Sequence, residues 1–123
     1  MDLGFAGQKV VAEEFGYTVG IDLTGGYEVR IETGFLLRAH DGDHHIVPGE
    51  DDGDAALLGE LTGQVVTMCT ADDAGALRVD FDSGARLLVE ADPAYEAWTV
   101  AGPGGLKVVC LPGGELSIWS PQP

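Results

Sequence analysis

Two stretches decide how this chain folds: "GIDLTGGYEVRIE", residues 20–32, and "RVDFDSGARLLVE", residues 78–90. Laid over one another they share an Asp (Asp22, Asp80), a Gly (Gly26, Gly84) and a final Glu (Glu32, Glu90). Their apolar residues coincide as well: Ile21 with Val79, Leu23 with Phe81, Ile31 with Val89. Each stretch alternates apolar and polar residues, the period of a half-buried β-strand. For Val19, Ile21 and Leu23 to share a face with Tyr27, Val29 and Ile31, Leu23 must stand opposite Tyr27. That leaves Thr24-Gly25-Gly26 as a three-residue hairpin loop, and the second copy gives Phe81 opposite Ala85 around Asp82-Ser83-Gly84. Gly26 and Gly84 coincide because such a loop needs a left-handed residue, which glycine supplies without strain. On the outer face Asp80 then lies opposite Arg86, an ion pair. Asp22 lies opposite Glu28, a like-charge contact with Arg30 on its diagonal.

The repeat extends outward from both hairpins. "GQKVVAEEF" (residues 7–15) answers "GQVVTMCTA" (63–71), with connections that differ by two residues. "FLLRAHDGDHHIVPGE" (35–50) resembles "YEAWTVAGPGGLKVVCLPGGE" (95–115) in its order of aromatic strand, turn, strand and Pro-Gly. Duplication is the simplest account, with halves at 7–49 and 63–119 in a single domain spanning 1–123. Neither half-sheet can bury its apolar face alone. The expectation is a mainly β, antiparallel fold, a sandwich or barrel-like closure of two similar meander halves packed on each other. Between them, "EDDGDAALLGELTGQ" predicts one short helix over about 51–62. Asp51 to Asp54 are the N-cap candidates, Leu57, Leu58 and Leu61 the docking face, and Gly63 the stop. Gly59 weakens this helix. The last third reads as a meander, with strands at 96–100, 106–111 and 115–119 and "SPQP" as a frayed tail.

Length and charge narrow the function classes. A chain of 123 residues fits one core, and no apolar run reaches the ~20 residues of a membrane-spanning helix. No secretion signal opens the sequence, so a cytoplasmic location is the expectation. Six Lys+Arg against 21 Asp+Glu give a formal charge of −15. Such a surface repels nucleic acid and anionic membranes and favours a basic partner or a cation; its ordinary role is solubility. Cys69 and Cys110 sit in apolar stretches with no CxxC spacing and read as buried thiols rather than a disulfide or metal pair.

Catalytic signatures are absent. No serine lies in a GxSxG elbow, neither cysteine has a local catalytic pattern, and the glycines form no phosphate-cradling loop. A non-enzymatic protein without a cofactor is the reading. The segment "HDGDHHIVPGEDDGD" (40–54) supplies His40, Asp41, Asp43, His44 and His45 as metal-ligand candidates. Its spacing fails the calcium-loop pattern, because Ile46 stands where that motif needs Gly, and adjacent His44 and His45 point to opposite faces of a strand. A solvated turn is the preferred reading. In "YEAW", alternation places Tyr95 and Ala97 on one face, Glu96 and Trp98 on the other. Trp98 is expected to be buried, while an exposed Tyr95 ringed by acids would anchor a basic partner.

The run "DFDSGARLLVEADPAYEAWTVAGPGGLKVVCLPGGELSIW" (80–119), with "GYEVRIET" before it, resembles an uncharacterised family of short acidic β-rich proteins common in actinobacteria. That family has no assigned activity, so no residue inherits a catalytic role. More loosely, the hairpin followed by "YEAW" is similar to small β-rich proteins found beside bacterial toxin genes, which implies an immunity-like role. Two functional expectations result. The first is an acidic binding protein for a basic protein, with Tyr95, Glu96, Asp22 and Glu28 as partner-binding candidates. The second is a small metal- or ligand-binding protein using the His/Asp loop. A homodimer through an open sheet edge is a third expectation.

Overall fold

The computed structural model describes residues 1–50 and 52–120. Among the described residues, eleven strands form two antiparallel sheets. They are β1 (Val10–Phe15), β2 (Val19–Leu23), β3 (Glu28–Ile31), β4 (Phe35–Ala39) and β5 (Gly42–Ile46). After the helix α1 (Asp52–Gly59) come β6 (Val66–Ala71), β7 (Leu77–Phe81), β8 (Arg86–Val89), β9 (Trp98–Ala101), β10 (Lys107–Cys110) and β11 (Leu116–Trp119). One sheet runs β1-β2-β3-β9-β10-β11 and the other β5-β4-β8-β7-β6. Neither closes on itself, so the fold is a β-sandwich, not a barrel.

Both hairpins take the register that alternation dictates. Ile21 pairs with Val29 and Asp22 with Glu28; Val79 pairs with Leu87 and Asp80 with Arg86. The Leu23 N–H donates to the Tyr27 carbonyl and the Phe81 N–H to that of Ala85, both at 2.9 Å. Gly26 and Gly84 have φ of 82° and 93°, the left-handed conformation their loops require. Each entering strand is bulged at the corresponding place, between Val10 and Ala12 and between Val66 and Met68. The apolar rows of β1 to β10 meet in one core, with Phe5, Phe35, Trp98 and Leu87 fully enclosed, and β11 adds only the partly buried Leu116.

The two halves do not stack as separate half-sheets, as the repeat alone suggested. They interleave. The chain leaves β3 through Glu32-Thr33-Gly34 and enters the opposite sheet, where β4 pairs with β8. After β8 it crosses back, and β9 pairs with β3. Each sheet therefore joins three strands of one half to the last strands of the other. Crossing lets each sheet reach five or six strands, where a lone three-stranded meander is marginal. The halves also meet directly. Lys9 bridges Val65, the Val10 N–H donates to the Gln64 carbonyl, and the Val66 N–H donates to that of Gln8, both at 2.9 Å. The Thr24 side chain accepts from the Lys9 N–H, and the Asp82 carboxylate accepts from that of Val65.

Local details depart from the sequence reading in several places. The helix ends at Gly59, short of residue 62, and Leu61 docks from the turn that follows. The N-cap candidate Asp51 and the tail residues 121–123 lie outside the described residues. The histidine-rich segment is not one loop, since residues 42–46 form β5. Strand β9 begins at Trp98, so the assigned faces of "YEAW" do not hold. Ala97 and Trp98 are both fully buried, whereas Tyr95 and Glu96 are exposed. The cause is an Asx turn: the Asp92 carboxylate accepts from the N–H groups of Ala94 and Tyr95 at 2.8 and 3.0 Å and breaks the alternation. Trp98 donates from Nε1 to the Gly75 carbonyl at 2.9 Å, tying a strand of one sheet to a loop of the other. Beside it, the β6–β7 and β10–β11 loops approach so closely that a Cβ on Gly75 would lie 2.5 Å from the Gly114 carbonyl oxygen.

Candidate functional site

The β1–β2 turn, the end of β3 and the loop before β9 surround a depression of about 330 Å³. Its walls are Tyr17, Thr18, Glu32, Tyr95 and Glu96. Tyr17 is 96% exposed and Tyr95 70%, although a folded chain normally covers most of a tyrosine ring. The backbone beneath each is fixed. In the tight turn the Gly16 N–H donates to the Thr18 carbonyl at 3.0 Å. Tyr95 stands on the Asx turn of Asp92, itself fastened to Gly113. The Glu32 N–H donates to the Ala97 carbonyl at 2.9 Å, which joins the end of β3 to the loop that carries Tyr95 and Glu96. Among the described residues, Glu32 and Glu96 make no ion pair.

Arg30 borders this depression through Thr18. It lies across Gly20, where any side chain would meet its guanidinium, and donates to the Thr18 hydroxyl at 2.8 Å. Its charge is shared with Glu28 at 3.0 Å and Glu14 at 3.7 Å. The hydrogen bond to Glu28 raises the Arg30 pKa further above its ordinary value. The other arginines are also engaged: Arg38 with Asp43, and Arg78 and Arg86 with Asp80, each at 2.9 Å.

Of the partner-binding candidates, Tyr95 and Glu96 line this depression. Asp22 and Glu28 face one another at the far, turn end of the β2–β3 hairpin. Glu28 and Glu32 are four residues apart along the strand direction, roughly 13 Å, so the four candidates form two pairs rather than one patch. Tyr17, Thr18 and Glu32 were not legible as site residues from spacing. The available signal was an aromatic beside Gly16 in a turn too short to bury it.

The metal-ligand candidates separate. His44 donates from Nε2 to the Asp41 carboxylate at 2.8 Å, and that contact raises the His44 pKa and lowers that of Asp41. Asp43 is engaged with Arg38. His45 lies on the opposite face of β5, against Gly34, and His40 lines a different cavity under α1. Among the described residues, no group of three or more His, Cys, Asp or Glu side chains is placed to hold a metal ion. Cys69 and Cys110 are free and buried, and desolvation raises both thiol pKa values.

The cavity at His40 has a volume of about 450 Å³. Leu37, Ala39, Leu61 and Ala85 form its apolar floor, and Leu57 and Glu60 close it from the helix side. At its rim the Ser83 hydroxyl donates to Gln64 Oε1 at 2.6 Å, and Gln64 Nε2 donates to the Glu60 carbonyl at 2.8 Å.

Among known proteins, the model of a family of unknown function (DUF6188) matches residues 1–120. No curated protein and no solved structure matches the chain.

Proposed function

The chain belongs to the family of unknown function DUF6188, and from that premise we propose that it is a non-enzymatic binding protein for a basic protein partner. The observation that carries this reading is the depression where two exposed tyrosines flank two unpaired carboxylates. A tyrosine face attracts a cation through its quadrupole, and a carboxylate beside it adds charge and hydrogen bonds. A lysine or arginine side chain of the partner enters between Tyr17 and Tyr95 and meets Glu32 and Glu96. The remaining acidic surface steers the approach, since the four arginines are already held by carboxylates. The finer form of the reading is an immunity-like role in the cytoplasm, in which the partner is a basic toxin. Two free, buried thiols suit a reducing compartment.

The test is retention of cationic proteins on the immobilised chain at low and then moderate salt, repeated with the double variant Tyr17→Ala, Tyr95→Ala. A stoichiometric basic partner should be held, be released as salt rises, and bind the variant at least about 30-fold more weakly, a loss of ~2 kcal/mol. Equal binding by the variant overturns the site, and retention of no basic partner overturns the reading.

A further inference from the structure

The strand registers place several residues of one half in correspondence with residues of the other. Val29 pairs with Val100 as Leu87 pairs with Leu37, and Glu28 with Ala101 as Arg86 with Arg38. One step further along come Tyr27 and Gly102 in the first half and, in the second, Ala85 and Ala39, which line one cavity. Before the entering strands, Phe5 precedes Val10 by the same interval as Leu61 precedes Val66.

In the first half this corner is filled. The Tyr27 ring lies over Gly102, so close that a Cβ there would be 2.8 Å from Tyr27 Cε1. Phe5 flanks the same ring, with centroids 5.8 Å apart and planes tilted by 40°. In the second half the ring is missing, because Ala85 takes the place of Tyr27 and Leu61 that of Phe5. The cavity of about 450 Å³ occupies that corner. Its size falls within the range of small-molecule sites, ~300–1,000 Å³. An apolar floor with few polar groups at the rim is also the usual make-up of such sites.

We propose that this cavity binds a small phenol, uncharged or amine-bearing, whose ring lies against the Ala39 methyl, set further out than the Tyr27 ring over Gly102 because Ala39 carries the Cβ that Gly102 lacks. The polar rim selects within that class. Ser83 and Gln64 satisfy one another, and Gln64 also satisfies the Glu60 backbone. The His40 ring and the Glu60 carboxylate remain to meet the ligand's hydroxyl or amine. Glu60 and the chain's charge of −15 disfavour a ring that carries a carboxylate. This site is separate from the tyrosine-lined depression and does not depend on the basic-partner reading.

The experiment is an amide NMR titration of the full chain with tyramine, compared with 4-hydroxybenzoate (same ring, opposite charge) and cyclohexylamine (same charge, no aromatic ring). Tyramine is expected to shift the amides of Leu37, Ala39, His40, Leu61 and Ala85 saturably, with both comparison compounds at least tenfold weaker. Ala85→Tyr gives the second half a ring from the position that fills the first, and should weaken tyramine at least tenfold. Leu57→Phe narrows the cavity from the helix side, should weaken tyramine likewise, and decides the matter if Ala85→Tyr does not fold. Absence of a saturable shift, equal response to cyclohexylamine, or undiminished binding in the folded variants overturns the proposal. Shifts confined to Tyr17 and Tyr95 also overturn it, while leaving the basic-partner reading intact.

Discussion

Asp80 accepts hydrogen bonds from Arg86, directly across the β7–β8 hairpin, and from Arg78, two residues earlier on its own strand. Burial acts to raise its pKa, but the two guanidinium groups outweigh burial and hold the carboxyl below its usual range. A carboxylate lowered in this way stabilises the fold fully above its unfolded pKa, about 3.9. That contribution disappears as pH falls through the lower, folded value. Asp80→Asn is therefore expected to cost on the order of 1 kcal/mol near neutral pH. The difference from wild type in urea unfolding should shrink as the pH is taken from about 6 towards 2; a constant difference would contradict the assignment. The Asp80–Arg86 pair was legible in the sequence because hairpin register is an arithmetic consequence of alternation. Tyr17 was not, because no periodicity marks a turn residue as exposed.

At the level of elements, the two hairpins were the readable part. A three-residue loop, a glycine at its end and matched apolar rows leave one register. The loop contacts between sheets were not readable, since nothing in "ADDAGALRV" says that Gly75 abuts "PGGE". The two kinds of glycine should behave differently. Gly84 has open space around it, so Gly84→Ala adds only left-handed strain, about 1–2 kcal/mol. Gly75 has similar backbone geometry, at φ of 87°, but its Cβ would strike the Gly114 backbone. Gly75→Ala should cost about 3 kcal/mol or more by adding a backbone displacement to the same strain. Equal midpoints for the two variants in chemical denaturation would show that the loops separate easily. Open edges are treated unequally as well. The N-terminal segment covers β6, with the Ala71 N–H donating to the Met1 carbonyl, whereas β11 leaves Ile118 and Trp119 half exposed.

For the whole molecule, alternation told which residues face the core but not which sheet a strand joins. The same apolar rows suit two stacked meanders or two interleaved ones, and only long-range pairing of β4 with β8 and β9 with β3 separates them. The charge was legible as a number, and its distribution was not. Four arginines turn out to be held by carboxylates, which leaves the acidic surface uncompensated. Interleaving has a further consequence. A single backbone cut between β5 and β6 divides the chain into two pieces, each short of the strands that complete its own sheet. Rejoined, each piece supplies what the other lacks, as two halves of a clasp do. The nicked protein should elute intact at the size of the parent and melt in one step, and the separated pieces should regain strand signal only when mixed. Should either piece fold alone, the crossing strands would be ornament rather than closure. If neither does, the chain can be split into a pair of mutually specific fragments whose reunion reports that two fused proteins have met.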